Sequence, residues 1–301
     1  MQTRELGKSG IRVSAIGLGG MPLSISDTRP SEVDAIAVIQ HAVACGITFL
    51  DTADAYCLGD EEFGHNERLF GKALAELPRH VRESVTVATK CGLVRPEGRW
   101  ERDGSVKHIR EATEASLRNL RVETLTLQQY HRIDPKVPLE ESWGELVRLQ
   151  QEGKIRFLGA SNHSVAELER AARVVPSPGL VSLQNQYSRK HRNPEVDGTL
   201  SYTRDHRMAF LPWSPLDGIG GAKGLEERHP GIARIAKARG ISAQQVALAW
   251  LLSVSANIIA IPGASKKASV EDSAKAADLV LSPEDLGVLG TEPRMTGAGH
   301  N

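Results

Sequence analysis

The chain has 301 residues, with 37 basic and 37 acidic side chains, so it carries no net field. That balance excludes the basic footprint of a nucleic-acid binder and any strong pull toward an anionic membrane, and no apolar run approaches the roughly 18 residues of a membrane helix. Cysteines are few and odd in number (Cys45, Cys57, Cys91), and the start lacks the apolar core of a secretory signal, so the reading is a cytoplasmic chain of one domain over 1–301.

In chain order, Thr3–Leu6 and Arg12–Ser14 flank Gly7-Lys-Ser-Gly10 and predict a hairpin over residues 1–15, placed to plug the N-terminal end of a barrel. Short β-branched runs then recur at Val13–Ile16, Thr48–Leu50, Val85–Thr89, Leu125–Tyr130, Ile155–Ala160, Val181–Asn185, Met208–Pro212 and Ile258–Ile261. Helical patterns separate them. Residues 31–45 align Ile36, Ile39 and Val43, and residues 105–120 align Val106, Ile109, Leu117 and Leu120. Ser164 with Glu167 three positions on reads as a capping box for a helix over 165–174. Strand and helix alternating without a break predict a closed (β/α)8 TIM barrel. The loops 57–66 and 91–104 are long for βα connections and are expected to wall a pocket. Beyond Leu289 the chain is polar, and residues 290–301 are expected to form a mobile tail.

Gly17-Leu-Gly-Gly20 is not a dinucleotide fingerprint: Pro22 stands where the third glycine belongs, and no strand-end acid follows about 20 residues on. A tight turn at the barrel rim is the expectation there. Barrels bind phosphate instead at the loops after strands 7 and 8, on a short helix. Trp213-Ser-Pro-Leu216 and Pro262-Gly-Ala-Ser-Lys-Lys267 supply those loops, the second leading into a helix expected near Ser269. Histidine spacing matches no metal motif, so no metal is expected.

The chemistry sits at strand ends. Asp51 and Tyr56 follow the run at 47–50, Lys90 ends the run at 85–89, and His131 follows Tyr130. A carbonyl that accepts hydride develops charge on oxygen, so a proton donor must wait there. Tyr56 is that donor, Lys90 is expected to lower its pKa, and Asp51 to keep Lys90 charged.

Those segments, with His131-Arg132, Gly159-Ala-Ser-Asn162, Gln184-Asn-Gln-Tyr187, Trp213-Ser-Pro-Leu216 and Ile261-Pro-Gly263, resemble the aldo-keto reductase superfamily over nearly the whole chain, in its bacterial short-tailed branch. The resemblance implies an NAD(P)H-dependent carbonyl reductase with the tetrad Asp51, Tyr56, Lys90 and His131. It also implies a nicotinamide site of Ser161, Asn162, Gln184 and Trp213, and a pyrophosphate site at Ser214 and Leu216. The adenosine end falls to Gly263, Ser265, Lys266, Lys267 and Asp272, with NADPH preferred and NADH the alternative. The family often has Arg near Ser269 and Glu-Asn at Asp272-Ser273, so Lys266 and Lys267 stand in for the 2′-phosphate contact. Asp217, beside the pyrophosphate loop, is expected either to turn away or to pair, with Lys223 the candidate partner. Substrate-wall candidates are Trp100, Leu23 and Phe63. A cofactor-sensing protein of low turnover, a polyol dehydrogenase and a phosphate-handling lyase are the competing readings.

Overall fold

The computed structural model describes residues 1–218 and 220–290. Strands β1 (Thr3–Glu5) and β2 (Arg12–Ser14) pair antiparallel with Arg4 opposite Val13. Then come β3 (Leu18–Gly19), β4 (Phe49–Asp51) and β5 (Thr86–Cys91). A short antiparallel hairpin of β6 (Leu93–Val94) and β7 (Glu101–Arg102) lies in the expected long loop. β8 (Leu125–Tyr130), β9 (Ile155–Ser161), β10 (Ser182–Gln184) and β11 (Ala209–Phe210) complete a parallel sheet of order β11-β10-β9-β8-β5-β4-β3.

The sheet closes through an eighth segment. Phe210 bridges to Ile258 on one side of it, and Ile16 and Gly19 bridge to Ala260 and Gly263 on the other. Backbone hydrogen bonds from Ile259 to Phe210 (2.9 Å) and from Gly17 to Ala260 (2.7 Å) make the seam. The (β/α)8 expectation therefore holds, with two changes of detail. Arg12–Ser14 belongs to the hairpin, so the first barrel strand joins the sheet only from Ile16, at the end of the expected Val13–Ile16 run. Of the glycines expected in a rim turn only Gly20 starts one, the 3-10 turn Met21–Leu23; a Cβ at Gly19 would stand 2.8 Å from the Ile261 carbonyl, so the close strand contact needs glycine there.

Helices cover the outside, and serines start several of them. The Ser31, Ser105 and Ser242 hydroxyls accept from the backbone N–H groups of Asp34, His108 and Gln245. Ser164 and Glu167 form the reciprocal capping box of Val165–Val174. The first helix, Glu32–Ala44, buries Ala35, Val38, Ile39 and Ala42, while Ile36 and Val43 are half-buried. Its inner face thus runs through Ala35, Val38, Ile39 and Ala42 rather than through Ile36 and Val43. In Val106–Leu120, Val106 is exposed and Ile109, Ala112, Thr113 and Ser116 are buried.

Strand periodicity sorts the barrel's side chains. Phe49, Ala88, Leu127, Phe157, Val181, Leu211 and Ile259 share one buried cluster with Leu6 and Val13 of the hairpin. Their neighbours Leu50 and Leu158 face the helices instead. Two residues on from a lumen position, the chain returns to the lumen. That rule carries Phe49 to Asp51, Ala88 to Lys90, Leu127 to Gln129 and His131, Phe157 to Gly159 and Ser161, and Leu211 to Trp213. The expected tail lies outside the described residues, except Gly290, which ends the helix Pro283–Gly290.

Candidate active site

At the C-terminal end of the barrel the four tetrad candidates converge. Lys90 is fully buried and donates from Nζ to Asp51 Oδ1 at 2.6 Å and to the Thr52 carbonyl at 2.8 Å. The same ammonium stands 4.9 Å from the centre of the Tyr56 ring. His131 packs edge-on to Tyr56 at 5.8 Å between centroids, and its Nδ1 is buried with no partner.

Burial pulls the Lys90 pKa down, but Asp51 and Tyr56 outweigh it and leave the pKa raised, so the group is an ammonium. His131 is driven well below the ordinary imidazole value, by burial first and then by Lys90 and Arg132, so the ring is neutral at pH 7. Tyr56 departs from expectation. Lys90 does lower its pKa, but burial raises it more, and the net direction is upward. The phenol accordingly keeps its proton at neutral pH.

Gln184, expected at the nicotinamide, and Gln129, missed in the sequence, complete the arrangement around Asp51. Gln129 and Gln184 both donate to Asp51 Oδ2, at 3.2 and 2.8 Å. A Cβ at Gly159 would meet Ser182 Oγ at 2.2 Å and Gln129 Cγ at 3.1 Å, so glycine there leaves room for the Gln129 side chain. The signal for Gln129 was available, since it lies between Leu127 and His131 on one strand face. Asp54 was missed as well. It is buried and accepts from the Ala55 N–H at 2.6 Å, and burial together with Glu67 holds its pKa well above the carboxylate range.

Asn162, at φ 57°, donates from Nδ2 to the His131 carbonyl and to Ser161 Oγ, both at 3.0 Å. Its Oδ1 accepts from the Trp213 indole at 3.0 Å. Ser161, Asn162, Gln184 and Trp213 are therefore brought together beside the tetrad. Ser214 (φ 53°) and Asp217 (φ 67°) turn the chain sharply after Trp213 and carry Leu216 between them, half-buried. Asp217 does not pair with Lys223. Its Oδ2 accepts from His229 Nε2 at 2.8 Å and from Arg228 Nε at 3.3 Å. Burial would raise this carboxyl, but hydrogen bonds from His229 and Ser188 hold it at about 2.

After the eighth segment, the helix Lys267–Lys275 begins earlier than expected and has no side-chain cap. Gly263, Lys266, Lys267 and Ser269 are exposed there, and Ser265 is half-buried. Asp272 turns away from this helix start: its two oxygens accept from Ser242 Oγ (2.7 Å) and Gln245 Nε2 (2.6 Å).

Of the wall candidates, Trp100 stands over the site, 47% exposed and edge-on to Tyr56 at 6.5 Å. Leu23 is corrected: it is fully buried among Leu18, Ile39 and Phe70, because the short 3-10 turn Met21–Leu23 folds it into the core. Phe63 lines a separate cleft of about 460 Å³ with Asp60, Arg95 and His108, and packs against the His108 ring. His163 is buried, its Nδ1 2.8 Å from the Ser161 carbonyl. Cys57 and Cys91 are buried and free; burial pushes the Cys57 thiol to about 12 and raises Cys91 too. Among the described residues no cluster of metal-ligating side chains occurs, and no helix is long and apolar enough to cross a membrane.

The profile of the Aldo/keto reductase family matches residues 15–289. A "Probable aldo-keto reductase 1" from Glycine max is 34% identical, over 95% of this chain and 87% of its own length. An aldo-keto reductase from Klebsiella pneumoniae, solved with NADPH, superposes with a TM-score of 0.80 at 28% identity, covering 98% of both chains. The glycerol dehydrogenase of Gluconobacter oxydans superposes equally well, with a TM-score of 0.80 at 29% identity, over 96% of this chain and 94% of the other. With the tetrad candidates gathered at one barrel mouth, the chain belongs to the aldo/keto reductase family of NAD(P)H-dependent oxidoreductases.

Proposed function

We propose that the protein reduces an aldehyde or ketone to its alcohol with NADPH, and that Tyr56 is the acid. The observation that carries this reading is the buried Lys90–Asp51 pair lying against a protonated Tyr56 beside a neutral His131. The residues present fit the cofactor. Ser161, Asn162 and Gln184 offer the donors and acceptors that a carboxamide needs, Trp213 offers a ring face, and Ser214 and Leu216 lie at the turn suited to a pyrophosphate. Gly263, Ser265, Lys266 and Lys267 line an uncapped helix start, which favours a phosphate and so NADPH over NADH. Asp272 would act indirectly, by holding that helix to Ser242 and Gln245.

When bound, the cofactor supplies a hydride from nicotinamide C4 to the carbonyl carbon. The Tyr56 hydroxyl gives its proton to the carbonyl oxygen, completing the alcohol. The Lys90 ammonium stabilises the phenolate left behind, and Asp51, held by Gln129 and Gln184, keeps that ammonium charged. Neutral His131 orients the carbonyl oxygen, and Trp100 shields the chemistry from water. Three free cysteines, Cys45 half-buried and Cys57 and Cys91 buried, suit a cytoplasmic setting. The likeness to a glycerol dehydrogenase favours a second reading, the same residues working in the oxidative direction on a polyol.

The test is Tyr56→Phe. Titration with NADPH, followed by tryptophan fluorescence, is expected to give wild-type affinity, while turnover falls roughly 100- to 10,000-fold. Turnover at the wild-type rate would remove Tyr56 as the acid. Absence of any nucleotide binding by the wild type would remove the reductase reading.

A further inference from the structure

Two segments bring Arg95, Arg102 and Arg132 to the rim beside Tyr56 and Trp100. Among the described residues none of these arginines meets a carboxylate. Arg132 directly follows His131 and is half-buried, with no hydrogen bond or ion pair to its guanidinium. Burial and the neighbouring Arg102 both disfavour its charge, and only Tyr56 offsets them. Arg102, on β7, reaches across to donate to the Ile133 carbonyl at 3.3 Å. Arg95 is only 6% exposed and stacks on the Trp100 ring at 3.8 Å. Its Nη2 donates to the Leu58 carbonyl at 3.1 Å, while Nε and Nη1 are buried without partners.

The acids beside Arg102 and Arg132 are committed elsewhere. Glu101 pairs with Arg99. Asp103 accepts from the Ser105 N–H, and Asp134 from the Gly104 and Lys136 N–H groups. A half-buried guanidinium left unpaired costs stability, and its planar fork matches a carboxylate or phosphate.

We infer that the substrate is a carbonyl compound bearing an oxyanion, a carboxylate or a phosphate, which Arg132 receives while the carbonyl lies between Tyr56 and His131. Arg102 adds to the field at that point. Trp100, backed by Arg95, covers the carbon chain between the two ends. The inference rests on the reductase reading above and specifies its substrate class.

The test compares kcat/KM at constant ionic strength for matched pairs: 4-oxobutanoate with its methyl ester, and glyceraldehyde 3-phosphate with glyceraldehyde. At least one pair is expected to favour the anion by roughly tenfold or more, chiefly through KM. Arg132→Met should reduce that ratio by about the same factor, and Arg132→Lys should fall between. The pair that shows the effect identifies carboxylate or phosphate. A ratio near one for both pairs in the wild type, or a ratio unchanged in Arg132→Met, overturns the inference. A second measurement needs no turnover: binding of succinate and inorganic phosphate against neutral succinamide, followed by tryptophan fluorescence in the presence of NADPH. If no aldehyde, neutral or anionic, is reduced although NADPH binds, the reductase reading fails. Anion binding lost in Arg132→Met would still support the anion site, and equal binding of succinamide would overturn it.

Discussion

Lys90 Nζ and Asp51 Oδ1 are 2.6 Å apart, and both side chains are closed off from solvent. Removing one partner of a buried pair leaves an uncompensated charge and costs about 3–5 kcal/mol. Lys90→Met is therefore expected to lower the urea midpoint substantially and to reduce turnover. The double variant Lys90→Met with Asp51→Leu should recover part of the stability and none of the turnover. Equal midpoints for wild type and Lys90→Met would mean that Gln129 and Gln184 alone satisfy Asp51.

The pH dependence of reduction follows from two displaced groups. His131 changes charge well below the ordinary 6.5, because burial opposes the imidazolium. Tyr56 loses its proton only above the ordinary 10.0, because burial opposes the phenolate. The active form, neutral His131 with protonated Tyr56, should persist across about pH 6 to 9, with a fall only above about pH 10. A limb between pH 6 and 7 that disappears in His131→Asn would contradict the neutral imidazole.

Asp217 makes an acid-sensitive contribution to stability. Its folded-state carboxyl lies at about 2, below the ordinary 3.8. A depressed carboxyl stabilises the fold above the unfolded value, and the contribution is lost as pH falls from 3.8 toward 2. Asp217→Asn should be less stable than wild type at pH 7 by on the order of 2 kcal/mol, with the gap narrowing near pH 3. Denaturant midpoints at pH 7, 5 and 3 check this; a gap constant across that range would mean Asp217 acts only through its shape.

The tetrad was legible because its members stand at or shortly after strand ends, and those ends at the C-terminal side of a barrel meet in space. The alternation that buried Phe49, Ala88 and Leu127 could have supplied Gln129 too, had each strand been read as two faces. The seam was harder. Val13–Ile16 and Leu18–Gly19 are both short apolar runs, and only the partner across the sheet separates a hairpin strand from a barrel strand. The glycines at 17–20 looked like a turn because close strand packing and tight turns demand the same residue. Leu23 and Asp217 failed for a common reason: their neighbours, Phe70 and His229, are set by how the loops fold back. Nothing in the local spacing encodes that return.

The seam between residues 16–19 and 258–263 also bears on synthesis. The first barrel strand leaves the ribosome with one edge unpaired, and its partner on that edge is made only after more than 200 further residues. Closure is thus a contact of very high sequence separation, which slows folding and leaves a strand edge open to other nascent chains meanwhile. Glycine at 17 and 19 keeps that waiting edge short of side chains, leaving little apolar surface for a wrong partner to hold.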